Sequence, residues 1–149
     1  MRVVVQRVKD ASVRVDGDEV SQIDKGLLVL VAFSRTDAEN VVTWIANKIV
    51  GLRIFSDTDD RMNLDLETVG GDILVVSQFT LYGDVTKGRR PSFENSASAD
   101  DAEVLYDFFI ETLQGIAPGK VLTGAYQAHM EVGFVNDGPV TILIDKEEE

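Results

Sequence analysis

Apolar and polar residues alternate along the first third of the chain in the short period of strands. Val3 to Val8 and Ser12 to Val20 read as two strands separated by a polar turn. Gly26 then opens the run LLVLVAF, which has no polar interruption and reads as a buried strand. The period changes after Thr36. TDAE at Thr36 to Glu39 fits a capping box, and Val41, Trp44, Ile45 and Ile49 follow at helical spacing up to Gly51. A second helix is predicted from about Ser98, with Ala102, Leu105, Phe109 and Leu113 on one face before Gly115 and Pro118. Between these helices Ile73 to Val76 is continuously apolar, as in a strand covered on both faces, and Ser77, Gln78 and Thr80 bring polar groups to its end. Continued alternation would place Ser77 and Phe79 on one side and Gln78 and Thr80 on the other. YQAHMEVGF alternates like an ordinary strand. Strands interrupted by two separated helices predict an α+β fold, a mainly antiparallel β-sheet or barrel with two principal helices, rather than regular βαβ units.

The length of 149 residues suits one domain spanning 1–149 that buries its own core. Neither a repeat nor a low-complexity linker divides it, and only the terminal DKEEE reads as a frayed, solvated tail. The N-terminal stretch is too short and too charged for a targeting segment or a membrane span, and a cytoplasmic protein is expected. A net charge of −12 argues against a broad surface that tracks nucleic-acid phosphates, yet leaves room for grasping one end of an RNA. Lys87, Arg89 and Arg90 form a basic island within KGRRPSF, either a solvated loop or a phosphate contact.

Conventional catalytic equipment is scarce. With no cysteine and one histidine, His129, the sequence offers few ligands for a transition metal, so no metal and no cofactor are expected. His129 itself reads as a structural or surface residue. There is no P-loop, and GGD at Gly70 to Asp72 lacks the context of a dinucleotide fingerprint. Any enzymatic chemistry must then use backbone donors, hydroxyls or the substrate itself. The segment NDGPVT, Asn136 to Thr141, has the composition of a turn, and Pro139 allows a cis bond at a cost of about 0.5 to 1 kcal/mol. On composition alone it is a hairpin or type VI turn.

VSQFTL at Val76 to Leu81, paired with NDGPVT, resembles the double signature of the D-aminoacyl-tRNA deacylases, editing enzymes that remove D-amino acids from tRNA. The resemblance runs along essentially the whole chain, through QRV at Gln6 to Val8, GLLVL at Gly26 to Leu30, RIFSD at Arg53 to Asp57, MNL at Met62 to Leu64, RPSF at Arg90 to Phe93 and LYDFF at Leu105 to Phe109. It implies a homodimer with active sites at the subunit interface, where Ser77, Gln78, Phe79 and Thr80 of one chain face the turn of the other. Gly138 and Pro139 would be a cis pair whose carbonyl oxygens exclude an L side chain, with Arg7 holding the turn. The implied substrate is a tRNA acceptor end carrying a D-amino acid or glycine.

The implied chemistry stabilises a tetrahedral oxyanion with backbone N–H groups near Ser77 and Phe79, about 3 to 4 kcal/mol for a well-aimed donor, with help from the terminal 2′-hydroxyl of the tRNA. A nucleophilic Thr80 is the competing mechanism, and no adjacent base supports it. Phe79, Tyr126 and Met130 are candidates to contact the terminal adenine, against ordinary core packing. Tyr126 stands where the family has phenylalanine. Thr141 would bond the turn or the substrate, and Arg90 would meet acceptor-end phosphate. The rival from another class is a noncatalytic dimer that binds an RNA end or a protein.

Overall fold

A computed structural model describes Met1–Glu148. Its first strand is longer than expected. β1 (Arg2–Val15) runs without a break through Lys9 and Asp10, and the chain reverses only at Asp16 and Gly17, both at positive φ, into β2 (Asp18–Ile23). The polar residues Lys9 and Asp10 mark where β1 changes partners, because Arg2–Val8 pair with β3 (Gly26–Ala32) and Ala11–Val15 pair with β2.

Helix α1 (Glu39–Val50) buries Val41, Val42, Ile45, Ala46 and Ile49. Two expectations about it fail. Its N-cap is Ala38 with no side-chain cap bond, because α1 begins only at Glu39 and leaves Thr36 upstream, its hydroxyl 3.2 Å from that of Ser34, while the Asp37 carboxylate binds the buried Met1 amino group and Ser34 N–H, the latter at 2.7 Å. Trp44 is 45% exposed, lying on the rim of the apolar stripe beneath the ammonium groups of Lys48 and Lys146. A small hairpin, β4 (Phe55–Ser56) with β5 (Met62–Leu64), and a one-turn helix α2 (Leu66–Val69) lead into β6 (Asp72–Ser77). Helix α3 (Ala99–Ile116) starts at Ser98, whose hydroxyl accepts from Asp101 N–H at 3.2 Å, and passes through Gly115 before ending. The last strands are β7 (Val121–Thr123) and β8 (Glu131–Asp145).

The main sheet runs β2-β1-β3-β6-β7, with β8 on the other edge of β1. All pairings of β1 are antiparallel, so the expected antiparallel majority holds. The pairs β3–β6 and β6–β7 are parallel, each joined by a crossover that contains a helix, which the sequence pattern did not reveal. Gly26 sits at the tightest point of the first parallel pair, where any Cβ would lie 1.9 Å from Asp72 O. Alternation divides the core. Val3, Val5, Leu27, Val29, Val31, Ile73 and Val75 pack beneath α1 and α3, while Val8, Val13, Ile23, Leu28, Leu74 and Val76 fill the opposite face. There β2 curls toward β7, and the Ser21 hydroxyl donates to Thr123 O at 2.8 Å, nearly closing the sheet into a barrel.

The terminal segment DKEEE, expected to be frayed, is tied down at its first two residues. Asp145 pairs with Arg2 at 2.7 Å, and Lys146 N–H bonds Met1 O at 3.0 Å. Glu149 lies outside the described residues.

Candidate active site

The parallel half of the sheet positions the larger cleft. β3, β6 and β7 all end at the same side of the molecule, and the chain leaving them walls a cavity of about 600 Å³. This volume lies within the range of small-ligand sites. Ala32 and Phe33 come from the end of β3, Val76 and Ser77 from the end of β6, and Tyr126 and Met130 from the segment after β7. Gln78, Phe79 and Phe93 complete one lip, and Ala99 and Ala102 of α3 the other.

Alternation stops at Ser77. Phe79–Tyr82 winds into a 3₁₀ turn, so the expected separation of Phe79 from Gln78 and Thr80 onto opposite sheet faces does not apply. The Gln78 amide instead donates to the Thr80 hydroxyl. Leu81 N–H is the first in the turn to bond back, to Gln78 O at 3.1 Å. The N–H groups of Phe79 and Thr80 precede that bond, so the turn provides them with no acceptor. The Phe79 ring is 57% exposed and meets Phe93 edge-on, with centroids 5.1 Å apart.

Of the predicted strand Tyr126–Phe134, the second half opens β8 at Glu131, but Tyr126–Met130 is a turn and irregular chain, with Gln127 at positive φ. This delivers Tyr126 and Met130 into the cleft together, where a strand would have pointed them to a common face only by alternation. Tyr126 lies 5.1 Å from the ring of Tyr106, and its hydroxyl donates to Ala99 O at 3.1 Å. Burial, followed by the nearby carboxylates of Glu103, Asp107 and Asp100, pushes its pKa up. Burial pushes Tyr106 up to about 12. His129 also borders the cleft but is exposed.

Gly138 and Pro139 lie elsewhere. The segment is not a hairpin, because β8 keeps the same direction along β1 on both sides of it. Between the pairs Gln6–Thr141 and Val8–Asn136, β1 contributes only Arg7 while β8 loops out through residues 137–140. The Gly138–Pro139 bond is cis, with Gly138 at φ +130, and both residues are exposed. Arg7 is the one buried polar or charged residue among those described, and it holds the loop: Nε donates to Asp137 O at 2.9 Å and Nη1 to Ile54 O at 2.7 Å. Asn136 and Gln6, which the sequence marks only as members of matched motifs, join this brace. Asn136 Oδ1 accepts from Val140 N–H at 2.9 Å, and its amide donates to Gln6 Oε1 at 2.8 Å. Thr141 donates to the same Gln6 oxygen, so its hydroxyl serves the loop.

Within one chain the two motifs stay apart. Register sets Ser77 level with Val31 and Val3, and Arg7 level with Leu27 and Ile73. Four residues along the strands and three strand spacings across them are about 13 Å and about 14 Å. Arg90 is also outside the cleft lining, on the exposed segment between Asp84 and Ser92.

A sequence profile described as D-Tyr-tRNA(Tyr) deacylase matches residues 4–145. The chain belongs to this family of hydrolases. It is 53% identical over 147 residues to a D-aminoacyl-tRNA deacylase of Petrotoga mobilis, covering 99% of this chain and 98% of that one. A protein of the same name from Caldicellulosiruptor saccharolyticus is 54% identical over 145 residues, 97% of each chain. Among solved structures, the c-Myc DNA unwinding element binding protein superposes with a TM-score of 0.93 at 37% identity, covering 99% of this chain and all of that one. A probable eukaryotic D-amino acid tRNA deacylase shares the fold, with a TM-score of 0.83 at 22% identity over 97% of this chain and 98% of that one. No helix among the described residues is long and apolar enough to cross a membrane.

Proposed function

We propose that this protein hydrolyses the ester linking a D-amino acid or glycine to the 3′ end of tRNA, in the cytoplasm, and rejects L-aminoacyl ends. The observation that carries the reading is the separation of the two motifs. Ser77–Thr80 lies at the cleft while the braced Gly138–Pro139 loop projects from the far end of the same chain. A loop held by a buried arginine and by the side chains of Gln6, Asn136 and Thr141, yet exposed at its tip, suits insertion into a second subunit.

In this reading the terminal adenosine lies among Phe79, Tyr126 and Met130, and the ester carbonyl meets the N–H groups of Phe79 and Thr80. Those donors point at the oxyanion as it forms, and each well-aimed one lowers the barrier by about 3 to 4 kcal/mol. The acyl group is already activated as an ester, so a positioned water and the adjacent 2′-hydroxyl suffice without a histidine or a metal. Thr80 shares its hydroxyl with Gln78 and has no base beside it, which favours a positioning role over a nucleophilic one. The partner's Gly138 and Pro139 carbonyls occupy the space of an L side chain, while the hydrogen of glycine passes.

The test compares release of amino acid from D-tyrosyl-tRNA, glycyl-tRNA and L-tyrosyl-tRNA by purified protein. Turnover of the first two and protection of the third is the expected result. Tight binding of tRNA without release would reassign the protein as a noncatalytic RNA-end module.

A further inference from the structure

Immediately after the 3₁₀ turn the chain forms a short exposed hairpin whose charge the deacylase reading leaves largely unused. Asp84 and Ser92 exchange both backbone bonds, at 2.8 and 2.9 Å, and Asp84 Oδ1 accepts Thr86 N–H at 2.9 Å. The Thr86 N–H, followed by the Thr86 hydroxyl, holds the Asp84 carboxyl below its ordinary range. The tip carries Lys87, Arg89 and Arg90, all exposed and, among the described residues, without an ion-pair partner. Its only acidic neighbours in sequence are Asp84, already used as a brace, and Glu94. The hairpin is fixed to the cleft at both ends, through Gly83 N–H to Thr80 O at 2.9 Å on entry and through the Phe93–Phe79 contact on exit.

The opposite lip has the opposite sign. Tyr126 and Ala102 there are backed by the exposed carboxylates of Asp100, Glu103 and Asp107 along α3. Salt screens exposed charges beyond roughly 8 to 10 Å at physiological ionic strength, so a phosphate at either lip responds to that lip and not to the net charge of −12.

We propose, building on the deacylase reading, that the RNA strand leaves the cleft across the Asp84–Ser92 hairpin, with Lys87 and Arg89 neutralising successive phosphodiesters beyond the terminal adenosine, while α3 repels the strand from the other lip. The cleft therefore has a direction. The hairpin sets which way the acceptor end must lie for its ester to meet the 3₁₀ turn.

The experiment uses two substrates, D-tyrosyl-tRNA and the D-tyrosyl ester of adenosine, which has the reacting group but no phosphate. For Lys87→Glu/Arg89→Glu, KM for the tRNA is expected to rise about tenfold or more with kcat changed by less than about twofold, and the slope of log kcat/KM against log salt to flatten by about 1 to 2. On the adenosine ester the ratio of wild-type to variant kcat/KM should fall to near one. Lys87→Gln/Arg89→Gln should give a smaller loss in the same direction, and Glu103→Lys/Asp107→Lys a lower KM for the tRNA. Unaltered KM and salt slope in the hairpin variants would overturn the proposal. So would an equal loss on both substrates, which would mean that the hairpin acts by shaping the turn, or a KM in the α3 variant that stays level or rises. Wild-type protein that releases amino acid from neither substrate would instead overturn the deacylase reading and this inference with it.

Discussion

At the scale of single residues, Gly138 is the one positive-φ glycine among those described whose missing Cβ would meet its neighbours. Its φ of +130 is one that residues with a side chain rarely adopt, and a Cβ would lie 2.7 Å from Arg7 Nη2 and 2.9 Å from Val140 Cγ2. Arg7 cannot yield easily, because the same guanidinium bonds Asp137 O and Ile54 O from a buried position. Gly138→Ala is therefore expected to destabilise the chain by about 1 to 3 kcal/mol and to displace the loop. If the loop is the filter, the D-to-L ratio of kcat/KM should fall about tenfold for each 1.4 kcal/mol of discrimination lost. A denaturation midpoint and paired assays on D- and L-tyrosyl-tRNA separate the two effects. A destabilised variant with wild-type selectivity would leave Gly138 a structural residue only. The break in extended backbone at Gly138 and Pro139 was legible in the sequence as turn chemistry. The brace was not, since Gln6 and Asn136 are 130 residues apart and only the register of β1 against β8 joins them.

At the scale of elements, the 3₁₀ turn after β6 decides how the chemistry is read. Its strand was plain from the apolar run Ile73–Val76, buried on both faces as expected. Its end was not, because Phe79, Thr80 and Leu81 have no residue that forces a turn, and the period of 2 was extended too far. The same error made a strand of Tyr126–Met130, where alternation in composition coincided with a loop. Helix α3 was legible because Ser98 caps it and its apolar spacing is regular, whereas the TDAE signature lies too early for α1, which begins at Glu39 with Ala38 as its cap and leaves Thr36 to pair with Ser34. If the turn works through its backbone N–H groups, Thr80→Ala should retain turnover within about tenfold, since it removes a hydroxyl and no main-chain donor. Replacing the terminal 2′-hydroxyl of the tRNA by hydrogen should then cost at least about a hundredfold, in the range of a lost general acid or base. Single-turnover rates measure both. An inactive Thr80→Ala with full activity toward the 2′-deoxy substrate would establish a covalent threonine.

At the scale of the whole molecule, β8 leaves one edge of the sheet unpaired over fifteen residues. Long open edges invite pairing with another chain, and natural proteins usually cover or charge them. This one instead exposes Phe134 at 40%, Val135 at 48% and Leu143 at 63%, on both sides of the Gly138–Pro139 loop. An apolar edge flanking an exposed, rigidly braced loop fits a second copy of the chain, related by a twofold axis that carries each loop toward the other's cleft. Light scattering is therefore expected to give twice the chain mass of 16.4 kDa. Val135→Asp/Leu143→Asp places two charges on exposed positions and removes nothing from the core, so the monomer should keep its fold. If the partner supplies the loop that completes the site, the monomeric variant should admit L-tyrosyl-tRNA relative to D-tyrosyl-tRNA more readily than wild type, and its selectivity should return when concentration drives it back to a dimer. A folded monomer that discriminates as strictly as the dimer would place the filter within one chain, against the roughly 13 Å by 14 Å separation of the two motifs.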